Sequence, residues 1–147
     1  MKRLISITSL FLFLLFISCK EKTEEIEKNF LRKSLEQIDI PMNYQWIVII
    51  PGAGCHGCIQ EGELFMKRNI ENQNILYILT KTSSVKILQQ KTGIHLSEYS
   101  NVYLDTKKQF DIPTDNAIYP CIVELKNGKV LSHTFQSPET NAFRQIR

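Results

Sequence analysis

Glycine and proline are scarce in this chain, six and five positions out of 147, too few for low-complexity disorder. Charge of one sign is lacking as well. Eighteen Lys and Arg face fifteen Asp and Glu; Lys2 and Arg3 fall within the first eighteen residues, which carry no acid, so the remainder holds 16 basic groups against 15 acidic ones. That balance excludes a nucleic-acid-binding composition. Beyond residue 17 there is no long apolar run, which excludes a polytopic membrane protein. There is no internal repeat and no sign of a second domain, and the length suits one ordinary domain.

What is present begins at the N-terminus. Lys2 and Arg3 precede the apolar stretch from Leu4 to Ile17, which is short for a bilayer span of about 20 residues and stops at Cys19, before the polar string Lys20 to Glu25. The pattern is that of a secretory signal. Phe16-Ile17-Ser18-Cys19 resembles the bacterial lipobox, in which the cysteine is acylated and becomes the new N-terminus. The resemblance implies a lipoprotein signal over 1–18, lipidation of Cys19 and a charged tether over 19–28. It also implies an extracytoplasmic protein, on the periplasmic or outer-membrane face, held to a bacterial membrane by its lipid anchor.

The rest, 29–147, forms one domain. Ile26, Phe30, Leu31, Leu35 and Ile38 recur at helical spacing and predict an amphipathic helix ended by Pro41. Trp46 to Ile50 and Asn74 to Thr80 are continuous apolar runs of the kind buried on both faces of a sheet. Between them Cys58, Gly62, Phe65, Met66 and Ile70 mark one face of a helix starting near Cys55. The result is a β-α-β unit with a parallel, right-handed crossover. Ser83 or Ser84 caps a further helix carrying Val85, Ile87 and Leu88, stopped at Gly93, and Val102 to Leu104 is a third strand. Asn127-Gly128 between Cys121–Leu125 and Lys129–Phe135 predicts a closing antiparallel hairpin, and Pro138 to Arg147 leaves room for a last helical turn or two. The fold class is α/β, a central mixed sheet flanked by helices.

The chemistry is concentrated in Gly54-Cys55-His56-Gly57-Cys58, a C-x-x-C at the turn from a buried strand into a helix. Two thiols so spaced on a first helical turn close a small disulfide, and the unpaired N–H groups and dipole of the helix N-terminus stabilise a thiolate on the first of them. Cys55 is then the nucleophile. Cys58, a turn further in on the apolar face, is the resolving thiol. His56 and Gly57 are the intervening residues that would tune the pair; His56 either stabilises the Cys55 thiolate or is a solvated turn residue.

Strand, C-x-x-C, helix, strand, helix, strand, then Ile118-Tyr119-Pro120 leading into a Lys-Asn-Gly-Lys hairpin, is similar to the thioredoxin-fold thiol-disulfide oxidoreductases, thioredoxin-like or TlpA-like, over residues 26 to 147. The resemblance implies that Pro120 is cis and packs beside the disulfide, and that the backbone at Tyr119 binds the incoming polypeptide or thiol. Two family features are missing: Trp before the first cysteine, where Gly54 stands, and an acid in the preceding strand, which is apolar from Trp46 to Ile50. No carboxylate is visibly placed for the resolving thiol. Alternation along the strand points Cys121 away from Pro120, as a small core residue, the other reading being a third redox thiol or a metal ligand. His95 and His133 have no partner in sequence and are structural or exposed.

The function expected is a membrane-tethered extracytoplasmic thiol-disulfide oxidoreductase. It needs no cofactor beyond the Cys55-Cys58 disulfide and no metal. Its partners are cysteine-containing extracytoplasmic proteins and an unidentified membrane electron donor or acceptor, not nucleic acid. The alternatives are a copper- or zinc-handling lipoprotein using Cys55, Cys58 and His56, and a non-catalytic binding lipoprotein in which the disulfide is a staple. A peroxiredoxin lacks support, since its upstream Thr or Ser and Pro are not placed around Cys55. Covalent haem attachment is excluded by Ile59 after the second cysteine.

Overall fold

A computed structural model describes residues 22–146 except residues 40 and 42. The signal segment 1–18 and Cys19 lie outside the described residues. Helix α1 (residues 22–36) is followed by β1 (Trp46–Pro51), α2 (His56–Asn69), β2 (Ile75–Thr80), α3 (Val85–Thr92), β3 (Val102–Asp105), β4 (Cys121–Lys126) and β5 (Lys129–Phe135), with short 3-10 turns at Leu96–Glu98, Asp115–Ile118 and Ala142–Gln145. The five strands form one mixed sheet in the order β3-β2-β1-β4-β5. Strands β1, β2 and β3 run parallel, while β4 and β5 are antiparallel to their neighbours. This α/β sheet with helices on both faces is compatible with the thioredoxin-like fold implied by the resemblance.

The central strands are where they are because they have no polar side to give to water. Every residue of β1 and of β2 is buried, as a strand covered on both faces requires. Val48, Ile50, Tyr77 and Leu79 meet Ile59, Met66 and Leu88 of α2 and α3 on one face. Ile47, Ile49, Leu76, Ile78 and Cys121 meet Leu31 and Leu35 of α1 on the other. The closing hairpin turns on Asn127 (φ 54°) and Gly128 (φ 72°), the two positive-φ positions that a two-residue turn of this hand demands. Helix α3 has the expected ends: Ser84 Oγ accepts the Ile87 N–H, and Gly93 closes it in the left-handed conformation.

Two sequence expectations need correction. The segment 19–28, expected as a tether, is helical from residue 22, and Lys28 Nζ already donates to Leu131 O at 2.9 Å. On α1 the inward position falls to Glu27, 2% exposed, while Ile26 is 43% exposed; a set of polar partners on the sheet side, described below, turns that face by one residue. On α3 Leu88 is buried but Ile87 is 62% exposed and Val85 borders on exposure, because a helix of eight residues presents a single stripe to the sheet. The last segment makes the 3-10 turn Ala142–Gln145.

Candidate redox site

The turn from β1 into α2 builds the site. Cys55 is the residue before the helix, with extended backbone (φ −65°, ψ 101°) and no side-chain cap, and its carbonyl accepts the first helical bond from Ile59 N at 2.9 Å. The N–H groups of the first turn therefore have no intrahelical partner, and no acid stands in that turn. Cys55 and Cys58 are joined as a disulfide with a Cα–Cα separation of 5.3 Å. Cys55 is partly exposed, whereas Cys58 is 3% exposed. Of the two half-cystines, one is thus in reach of solvent and the other lies beneath it.

A second loop backs the first. The Cys55 N–H donates to Ile118 O at 3.0 Å, fixing the disulfide turn against the 3-10 turn Asp115–Ile118. Gly54 makes this approach possible: its φ is +145°, and a Cβ there would lie 2.4 Å from Ile118 O, so only glycine fits. On the other side a Cβ on Gly62 would meet the Pro120 ring at 3.2 Å. Pro120 thus packs on α2 one turn beyond Cys58, and Tyr119 lies between it and Ile118, the residue bonded to Cys55.

The peptide bond before Pro120 differs from the family expectation. No described peptide bond is cis, so Pro120 is trans. Tyr119 leaves the 3-10 turn extended (φ −108°, ψ 147°), as the residue before a proline prefers, and β4 starts at the next residue but one. The trans form, favoured intrinsically by about 0.5–1 kcal/mol, already delivers the chain to that strand.

His56 and Gly57 are exposed. The His56 ring nitrogen Nε2 lies 3.1 Å from Gln60 Nε2, one helical turn on, so the imidazole lies along the outside of α2. A Cβ on Gly57 would meet nothing within 4 Å. Its small size is therefore not a steric demand of the fold.

Cys121 is not brought to the disulfide. It is fully buried on the α1 side of the sheet, whereas Pro120 faces α2, as alternation along the strand requires. Burial, and secondarily the charge of Glu27, push its thiol far above the ordinary value. In the native reduced protein Cys121 is expected to resist iodoacetamide at pH 8 while Cys55 reacts; peptide mapping after alkylation reads both, and a labelled native Cys121 would contradict its burial. Unfolding frees this thiol to ionise, so above about pH 9 the unfolded state gains and native stability falls as pH rises.

Three neighbours of the disulfide turn were not visible in sequence. Gln136, 5% exposed, ties three segments together: its N–H donates to Pro120 O at 2.8 Å, its Nε2 donates to Glu61 Oε2 at 2.6 Å, and its Oε1 accepts the Ala142 N–H at 2.7 Å. Glu61 is three residues beyond Cys58 on α2 and hence a neighbour on the helix surface. It is the carboxylate closest along the helix to Cys58, where the strand offered none. Ile118, 43% exposed beside the disulfide turn, is the third. The one signal for Glu61 was its i+3 spacing; Gln136 gave none.

His133 is structural, as expected, but not idle. Its Nε2 lies 2.9 Å from Glu27 Oε2, with both side chains 3% exposed, and Glu27 Oε1 accepts from Thr114 Oγ1 (2.5 Å) and Asn116 Nδ2 (2.8 Å). Tyr119 N donates to Asn116 O, so this cluster holds the loop that backs Cys55. His95 is exposed ahead of the 3-10 turn Leu96–Glu98. Among the described residues no group of three or more His, Cys, Asp or Glu is arranged to hold a metal ion, and no helix is long and apolar enough to cross a membrane.

Compared with known proteins, the chain matches no family model, no curated protein and no solved structure.

Proposed function

We propose that this protein is a thiol-disulfide oxidoreductase, tethered through Cys19 to a bacterial membrane on its extracytoplasmic side, where cysteine pairs are held oxidised. One observation carries the reading: Cys55 and Cys58 are disulfide-bonded at the N-terminus of α2, one residue partly exposed and one buried, with Ile118 O accepting the Cys55 N–H and Pro120 packed beside Gly62. A covalent staple alone does not call for an exposed sulfur at a helix end; an exchange site does.

In the reducing direction the Cys55 thiolate attacks one sulfur of a substrate disulfide, forms the mixed disulfide and releases a substrate thiolate. The Cys58 thiolate then attacks Cys55 Sγ, closing the intramolecular disulfide and releasing the second substrate thiolate. Two electrons pass to the substrate, and a membrane donor restores them. The oxidising direction is the reverse sequence, with a membrane acceptor. Both begin at Cys55, because Cys58 is covered.

Equilibrating the purified protein in glutathione buffers and counting free thiols by mass tests the reading. A reversible two-electron transition of the Cys55-Cys58 pair is expected, with Cys55 the alkylated residue once reduced. A midpoint of about −270 mV assigns electron donation and one of about −120 mV assigns oxidation. A reduced Cys55 that no alkylating agent reaches overturns the proposal.

A further inference from the structure

Helix α1 starts at residue 22, three residues after Cys19, and its direction across the sheet fixes the end of the domain from which that cysteine leaves. The early residues of α1 lie at the end that carries the disulfide turn. Glu24 and Glu27 line one cavity with Asn116, Tyr119 and Phe135, and Asn116 Nδ2 donates to Glu27 Oε1 at 2.8 Å. Phe135 pairs with Cys121 and Cys121 with Ile49, so this is the end at which β1 runs out toward Cys55. The late residues lie at the other end: Arg32, Leu35 and Glu36 line a cavity with Gly128 and Lys129 of the hairpin turn. Helix α1 therefore runs antiparallel to β1, away from the disulfide turn.

Direct contacts join the start of α1 to the disulfide turn. Glu27 lies about 8 Å along the helix from residue 22. Its partner Asn116 belongs to the 3-10 turn Asp115–Ile118, whose Ile118 O accepts the Cys55 N–H at 3.0 Å. Three residues of chain reach at most about 11 Å. An acylated Cys19 thus keeps the start of α1 within that distance of the bilayer surface, and the sulfurs sit at the same end of the molecule. With α1 in the opposite sense, the six residues of β1 would add about 20 Å between anchor and disulfide.

We propose that the redox end of the domain is its membrane-proximal end, and that the partner exchanging with Cys55 is a membrane-held protein whose cysteines lie close to the bilayer surface, not a freely diffusing polypeptide. The inference rests on the exchange reading and on the anchor at Cys19, and it narrows the class of partner. The gain is one of effective concentration: two sites confined to the same thin layer meet far more often than their bulk concentrations allow, provided the tether lets both engage. A three-residue tether does so for cysteines near the surface and excludes those held far above it. Two electrons pass between the two cysteine pairs by the exchange steps given above, with no further reactant.

The test uses the lipidated full-length protein, reduced, in phosphatidylcholine vesicles. The probe is a peptide carrying one cysteine as a thionitrobenzoate mixed disulfide, coupled to a lipid headgroup through a helical spacer that sets the cysteine about 5 or about 50 Å above the surface. Attack by Cys55 on the peptide sulfur releases coloured thionitrobenzoate, and Cys58 then frees the peptide. The near probe is expected to react about tenfold faster than the far one. Inserting about 20 Gly and Ser residues before residue 22 adds about 25 Å of reach. This insertion is expected to bring the ratio close to one while reduction of soluble 2-hydroxyethyl disulfide stays unchanged. Equal wild-type rates for the two probes, a faster far probe, or a near preference that the insertion leaves intact would overturn the inference and leave the oxidoreductase reading in place. Protein that reduces 2-hydroxyethyl disulfide but by mass carries no lipid on Cys19 would overturn the anchor and the inference with it. Failure to reduce 2-hydroxyethyl disulfide overturns the exchange reading as well.

Discussion

Cys55→Ser is expected to lower insulin reduction by dithiothreitol to the uncatalysed rate, a loss of about three orders of magnitude or more, as removal of a nucleophile commonly gives. Cys58→Ser is expected to fail differently. It keeps the partly exposed attacking sulfur, still forms the mixed disulfide and then stalls, so a covalent adduct accumulates on non-reducing gels and disappears with excess thiol. The two cysteines are three residues apart, and so short a loop constrains little of the unfolded chain. Both variants should therefore fold, and circular dichroism checks that the losses are chemical. If Cys55→Ser traps the adduct while Cys58→Ser does not, the roles are exchanged. If both variants turn over at the wild-type rate, the disulfide is a staple.

The features legible in the sequence are those set by short-range chemistry. Trp46 to Ile50 and Ile75 to Thr80 have no polar alternation, which leaves little option but a doubly covered strand. Asn127-Gly128 and the Ser84 and Gly93 ends of α3 are local backbone requirements that hold whatever surrounds them. The disulfide turn is legible for the same reason, because C-x-x-C at a strand-to-helix junction is contained in eight residues. The face taken by Cys121 followed from counting along a strand.

What was not legible comes from partners far apart in sequence. Glu27 reads as a solvated residue of an amphipathic helix, and only Thr114, Asn116 and His133, respectively 87, 89 and 106 residues away, make the inward position favourable for a carboxylate. Gln136 is equally silent, since its bond to Glu61 spans 75 residues. Gly54 could be read as a turn residue, but not as the point where Ile118 approaches to within the space of a side chain. The site is thus half local and half long-range: sequence names the sulfurs, while the loop that holds them is placed by polar contacts whose partners lie on other elements.

Those long-range contacts make the second large prediction. Glu27→Ala is expected to destabilise the domain by about 3 kcal/mol or more, because each buried polar group left without its partner costs about 1–3 kcal/mol. The methyl group replaces none of the three hydrogen bonds, so His133, Thr114 and Asn116 lose their common acceptor in a nearly dry site, and the unsatisfied groups cost more than the bonds were worth net. Glu27→Gln keeps one acceptor oxygen and should cost less, so the difference between the variants separates lost hydrogen bonding from lost volume. Urea unfolding at neutral pH measures both, and a Glu27→Ala cost below about 1 kcal/mol would mean that water satisfies the cluster in place of the carboxylate. The consequence should reach the sulfurs as well. Asn116 carries both a bond to Glu27 and the carbonyl that receives Tyr119 N, and Ile118 between them holds the Cys55 N–H. Loosening this cluster should therefore slow exchange at Cys55 under conditions where the variant is still folded, and unchanged Cys55 alkylation and exchange rates would show that the loop keeps its place without Glu27.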